Sequence, residues 1–107
     1  MALPGILGQL DCSAAANNLV ATVSASGNGG VVNVCLVNRT NATVNVSLAI
    51  VPNGTASPAN QHWIEYMTPL AANQPLERGG LALGPGDKVF VYPQASGVSC
   101  SVVGVPL

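Results

Sequence analysis

Apolar and polar side chains alternate along most of this sequence, and that period of two constrains the fold more than any other feature. Residues 44–50 alternate strictly, with Val, Val, Leu and Ile separated by small or polar residues. Residues 32–37 and 98–103 follow the same period. This pattern is typical of β-strands with one buried face. Since no amphipathic helix of about ten or more residues is indicated, we predict an all-β protein.

Turn-forming residues separate the apolar runs at short intervals. Gly, Pro and Asn cluster at residues 27–30, 52–60 and 84–87, where they favour loops and tight turns. About seven short strands at this spacing predict a small antiparallel β-sandwich, of jelly-roll or immunoglobulin-like type. We predict one domain over residues 19–107, preceded by an extended N-terminal arm over residues 1–18. A first edge strand within that segment is the alternative.

Charged residues are scarce, because the chain has only three basic and four acidic residues, or 7% of its length. An ordinary soluble domain has about a quarter, so we expect one subunit of a larger assembly with near-neutral faces against its partners. Three dispersed cations argue against a phosphate-binding surface, and we expect no nucleic-acid partner. No run of about 18 apolar residues is present, and we expect no membrane association.

Side chains with catalytic or metal-binding chemistry are few. The one histidine, His62, lies three residues before Glu65, and on a strand these two would face opposite sides. The cysteines have no metal-ligand spacing, and we expect free thiols, with Cys35 and Cys100 as small buried side chains in Val-rich runs. We therefore expect no enzymatic activity, no metal and no cofactor.

Three segments carry a family resemblance, namely Ile64-Glu65-Tyr66, Leu76-Glu77-Arg78-Gly79-Gly80-Leu81 and Gly86-Asp87-Lys88-Val89. With the strands around them, over residues 32–103, the chain resembles a group of small proteins that tailed bacteriophages encode among their structural genes. The resemblance implies a β-rich virion component and transfers no catalytic residue. The chain differs from that group at its last four residues, which are neutral and apolar rather than acidic.

Together these observations predict a non-enzymatic structural protein of a bacteriophage virion, assembled in the host bacterial cytoplasm. A capsid decoration or cement protein is the favoured hypothesis, bound to the major capsid protein or other virion proteins and to itself as a homotrimer. A tail, baseplate or fibre-attachment accessory is one alternative, and a small module that binds carbohydrate or the host surface is another. The residues expected at its contacts are Leu3, Ile6, Leu7, Leu10, Trp63, Tyr66, Glu77, Arg78, Val105 and Leu107.

Overall fold

Eight β-strands make up most of the computed structural model, which describes residues 5–107. One short 3₁₀ turn, Asn60–His62, precedes the fifth strand. The number of strands exceeds the expected seven by one, because the first eighteen residues contribute a strand of their own. The strands are β1 (Gly5–Asp11), β2 (Asn18–Thr22), β3 (Gly30–Asn38), β4 (Val44–Val51), β5 (Trp63–Leu70), β6 (Pro75–Leu83), β7 (Lys88–Pro93) and β8 (Val98–Pro106).

The strands form two antiparallel sheets of four strands each. We call the sheet with the order β1-β8-β3-β6 sheet A, and the sheet with the order β2-β7-β4-β5 sheet B. The prediction of a small all-β sandwich is confirmed. Consecutive strands repeatedly cross from one sheet to the other, and this eight-stranded order is that of a jelly roll, the first of the two sandwich types expected.

The N-terminal segment belongs to the sandwich and is not an extended arm over its described part. β1 pairs with β8 from Gly5 opposite Gly104 to Asp11 opposite Ser99, with one irregularity near Leu7. The backbone groups of β1 therefore have ladder partners that an isolated arm would lack. The prediction of an arm is corrected for residues 5–11 in favour of its alternative, an edge strand. Residues 12–17 connect β1 to β2, and residues 1–4 lie outside the described part of the chain.

The core between the sheets is almost entirely aliphatic. The inward positions of β3 and β4 carry residues of the alternating pattern, such as Val34, Leu36, Val46 and Leu48, all with almost no exposed surface. β8 contributes Cys100 and Val102 from sheet A, and β7 contributes Val89 and Val91 from sheet B. The period of two in the sequence thus places these side chains between the sheets.

A second, smaller apolar cluster lies on the outer face of sheet B. Ala49, Val51 and Phe90 are buried there, and the half-buried Trp63 packs against them. The strict alternation of β4 would leave Ala49 and Val51 facing water. They are buried because aromatic rings from the neighbouring strands β5 and β7 cover the small residues of β4.

Candidate functional site

Four exposed apolar side chains lie together on the outer face of sheet A. Ile6 on β1 is opposite Val103 on β8, and Val105 on β8 is opposite Val31 on β3. Ile6 is 65% exposed and Val105 is 59% exposed. We call Ile6, Val31, Val103 and Val105 the apolar patch. Because it spans three neighbouring strands, it forms one continuous surface of branched aliphatic groups.

The apolar patch follows from the position of β8 in the fold. Val98, Cys100 and Val102 face the core, so Val103 and Val105 face outward on the same strand. β8 lies between β1 and β3, which places its outward side chains in the middle of the sheet. Exposed apolar side chains that are contiguous, rather than scattered singly, often mark an interaction site on a soluble protein. The outer face of sheet A is therefore the candidate functional site.

One ion pair lies at the opposite end of this face. The guanidinium Nη2 of Arg39 donates to Oδ1 of Asp11 over 2.6 Å, beside the pairing of Asp11 with Ser99. Both side chains are largely exposed, and such pairs contribute about 0–1 kcal/mol. This ion pair is a polar border to the face rather than part of its core packing.

A β-bulge in β6 sets the directions of Glu77 and Arg78. Between Val32 and Val34 of β3, the facing strand β6 carries an additional residue. Gly80 adopts a φ of 69° there, and its N–H donates to Oδ1 of Asn33 over 2.9 Å. Glycine suits this left-handed backbone conformation because it has no Cβ. Beyond the bulge, Glu77 faces outward opposite Cys35.

Arg78, in contrast to Glu77, points to the other sheet. Its Nη1 donates to the Glu65 carboxylate and to the carbonyl oxygen of Ile64 on β5. Oγ1 of Thr68 also donates to the Glu65 carboxylate over 2.8 Å. These hydrogen bonds, first that of Thr68 and then that of Arg78, lower the pKa of Glu65. The structure therefore places Arg78 in an ion pair that joins β5 to β6.

The predicted contact residues at the two ends of the chain take different positions. Ile6 and Val105 are in the apolar patch, and Leu107 is exposed beyond it, with its N–H donating to the carbonyl oxygen of Gly29 over 3.0 Å. Leu7 packs against the core between the sheets, and Leu10 is exposed on the edge strand β1. Leu3 lies outside the described residues.

Trp63 and Tyr66 form an aromatic pair on β5. Their ring centroids are 5.9 Å apart with an angle of 59° between the planes. Trp63 is half-buried on the outer cluster of sheet B, whereas Tyr66 is 69% exposed. The two aromatics therefore lie away from the apolar patch, on the other sheet.

The histidine and the three cysteines have local structural contacts. His62 lies in the 3₁₀ turn, one residue before β5, where its Nδ1 accepts the N–H of Ala59 over 2.8 Å. All three cysteines are free thiols. Cys100 is buried as predicted, but Cys35 is only half-buried, since it faces outward on β3. Among residues 5–107, no group of three or more His, Cys, Asp or Glu side chains is arranged to hold a metal ion.

Two members of the apolar patch, Val31 and Val103, are absent from the predicted contact residues. The alternation in β8 contains the signal for Val103, because Val98, Cys100 and Val102 share the opposite face. Val31 has no comparable signal, since its position depends on the pairing of β3 with β8.

Comparison of the chain with protein-family models, with curated proteins and with solved structures gave no match. No helix in the described part of the chain has the length and apolarity needed to cross a membrane. Fold and site together define a small jelly-roll β-sandwich with an exposed apolar face on sheet A.

Proposed function

We propose that this chain is a non-enzymatic structural protein of a bacteriophage virion, a decoration or cement protein that stabilises the head lattice. The apolar patch on sheet A is the observation that carries this proposal. Its four aliphatic residues face water in the isolated chain, while the whole chain has only seven charged residues. Contact with a neighbouring subunit would remove this surface from water.

Burial of the apolar patch supplies the favourable free energy of attachment. Each Å² of apolar surface removed from water contributes about 25 cal/mol. A patch of a few hundred Å² would therefore contribute several kcal/mol, less the entropy lost on association. Weak contacts of this kind become effective when many copies bind one shell, because each bound copy raises the effective concentration of the next contact.

The fold and the family resemblance support the same function. Jelly rolls occur in viral capsid proteins and also in lectins and cupins, so the fold alone does not select the function. The resemblance of residues 32–103 to proteins encoded among phage structural genes favours the virion. On this proposal the partners are the major capsid protein or other virion proteins, with the chain itself as a homotrimer at local threefold positions.

Particle stability tests this proposal directly. Particles that lack the protein should lose their contents at a lower temperature than complete particles do. When the salt concentration is lowered, they should also lose their contents while complete particles are still intact. Adding back the Val105→Asp protein should fail to restore stability, because a carboxylate would be placed in the apolar patch. Thr22→Asp is the matched control, since Thr22 is exposed on β2 of sheet B. Equal stability with and without the protein would refute the cement function.

A tail, baseplate or fibre-attachment accessory has the same sequence signature. Antibody labelling of intact particles distinguishes the two locations. Labelling over the head surface is the expected result, and labelling confined to the tail would replace the head location with the tail.

Carbohydrate binding is a second candidate function, favoured by the exposed ring of Tyr66 beside Trp63. Aromatic faces of this kind contact the apolar faces of sugars. A glycan array probed with the wild-type chain and with Tyr66→Ala tests this function. Binding that is lost in the variant would support it, and the absence of binding to any glycan would eliminate it.

A further inference from the structure

A groove of about 380 Å³ crosses the outer face of sheet A next to the apolar patch. It exists because the side chains along it are small or missing. A Cβ added to Gly79 would lie 3.0 Å from Oδ1 of Asn33, so the glycine keeps this depression open. Besides Asn33 and Gly79, the lining of the groove includes Cys35, Glu77, Arg78, Ser101 and Val103.

Glu77 gives the groove a single uncompensated charge. Within residues 5–107 the ion pairs are Asp11–Arg39 and Glu65–Arg78. The Asp87 carboxylate accepts the backbone N–H groups of Gly84 and Asn53, over 2.7 and 3.0 Å. Glu77 is exposed and makes no hydrogen bond or ion pair with another described side chain. Among the Asp and Glu side chains of residues 5–107, Glu77 is thus the one with neither a cation nor a backbone donor beside it.

Arg78 also lines the groove, but its guanidinium is paired with Glu65 on β5. The remaining groups of the groove are neutral. Burial, and next the charge of Glu77, raise the pKa of the Cys35 thiol, which keeps it protonated at neutral pH. Oδ1 of Asn33 is already occupied by the N–H of Gly80, and Val103 is aliphatic. An apolar wall with a carboxylate at its rim suits a side chain with an aliphatic stem and a cationic end, as in Lys or Arg.

A second copy of the chain does not supply such a cation without breaking an existing contact. Arg39 and Arg78 each already hold a carboxylate. Lys88 lies on β7 of sheet B, and its Nζ donates to the carbonyl oxygen of Thr55 over 3.1 Å. Charge complementarity therefore favours a different protein as the occupant of this face.

We propose that this groove accepts a lysine or arginine side chain from an apolar segment of a neighbouring protein. The aliphatic stem lies over Cys35 and Val103, and the cationic end pairs with Glu77. The flanking apolar residues of that segment cover the apolar patch. This inference rests on the proposed function, because it takes the neighbour to be another protein of the same virion.

A small cationic probe tests the groove without the partner. The ¹⁵N-labelled chain is titrated with n-butylammonium chloride, and n-butanol serves as the neutral probe. We expect saturable amide shifts at Cys35, Gly79 and Ser101 with the cation, and weaker, unsaturated shifts with the alcohol. Glu77→Gln should weaken cation binding about fivefold, the scale of an exposed ion pair. Asp11→Asn, which removes a carboxylate elsewhere on the same sheet, should leave it unchanged.

Two results would overturn the proposal. The first is a cation site elsewhere, shown by equal cation binding in the wild type and in Glu77→Gln, or by amide shifts that centre on Glu65 or Asp87. The other is a concentration-dependent dimer, measured by sedimentation without any probe, that Glu77→Gln abolishes, because it would make a second copy the occupant. Particle stability with Val105→Asp is independent of both, so failure of the groove and failure of the cement function are distinguishable.

Discussion

Glu65 on β5 and Arg78 on β6 form an ion pair that joins the edge strands of the two sheets. Each residue lies opposite an inward-facing residue of its own sheet, Leu48 for Glu65 and Val34 for Arg78. The pair therefore closes one open side of the sandwich, where aliphatic side chains would otherwise meet water.

Removal of the Glu65 carboxylate should destabilise the protein. In Glu65→Met the guanidinium of Arg78 and the hydroxyl of Thr68 lose their acceptor. Water replaces that acceptor poorly, because the side chain of Glu65 is only 19% exposed. Hydrogen bonds to charged groups contribute about 1.5–3 kcal/mol each when buried. Because the Arg78 side chain is 39% exposed, water reduces this, and we expect the free energy of unfolding in urea to fall by about 1–2 kcal/mol. Asp11→Asn breaks the exposed pair with Arg39 and should cost less than about 0.5 kcal/mol. Equal losses in the two variants would contradict this difference.

Stability should depend on pH through the same carboxyl group. The hydrogen bonds from Thr68 and Arg78 lower the pKa of Glu65 below its ordinary value of 4.5. The unfolded chain therefore binds a proton at higher pH than the folded chain does. The contribution of Glu65 is complete above its unfolded pKa and is lost as the pH falls through its folded pKa. Urea unfolding of the wild type and Glu65→Gln at a series of acidic pH values should give a difference that shrinks as the pH falls. A constant difference would disprove the linkage.

Asn38 should be the most sensitive polar position in the chain. Its side chain is fully buried, and its Nδ2 donates to the carbonyl oxygens of Ala42 and Leu70 over 2.8 and 3.0 Å. Its Oδ1 accepts the N–H and the hydroxyl of Thr40. Asn38→Ala removes all of these hydrogen bonds from a fully buried position, and we expect a loss of about 2–4 kcal/mol by chemical denaturation. The exposed Asn41→Ala should change stability by less than about 0.5 kcal/mol. A small loss in Asn38→Ala would show that the loops rearrange freely.

Thiol modification should distinguish the three cysteines. Burial raises the pKa of Cys100 to about 12 and, together with the charge of Asp11, that of Cys12 to about 11. The thiolate is the reactive form, so these two should react slowly with a disulfide reagent in the folded protein. The half-buried Cys35 should react first, at a rate that rises with pH. Cys35→Ser should abolish the fast phase, and all three thiols should react in urea. Three equal rates in the folded protein would refute this order.

The strands could be predicted wherever one face of the strand is buried and the other faces water. Residues 44–50 show the clearest alternation, and β4 runs from Val44 to Val51. For β1 the sequence leaves an extended arm and an edge strand both open, because Gly5 and Gly8 interrupt its apolar run. Its partner β8 supplies the hydrogen bonds that local sequence does not indicate. Pairing over such a distance along the chain leaves no local pattern.

The candidate site was predictable only in part, because the sequence shows residue types but not strand order. Ile6 and Val105 were expected at contacts because they are apolar residues near the chain ends. Their meeting in one patch depends on strand order, which the sequence does not show. The partner of Arg78 was likewise not predictable, because Glu65 lies on a different sheet.

The position of β8 also has a consequence for the order of folding during synthesis. β8 is the eighth strand along the chain but lies inside sheet A, between β1 and β3. Sheet B has all of its strands once β7 has left the ribosome, whereas β1 must wait for residues 98–106 before it has a ladder partner. Until then the backbone N–H and C=O groups of β3 that pair with β8 lack partners, and folding that depends on such distant pairing is slow. Chaperone binding to ribosome-bound chains should therefore persist until β8 emerges.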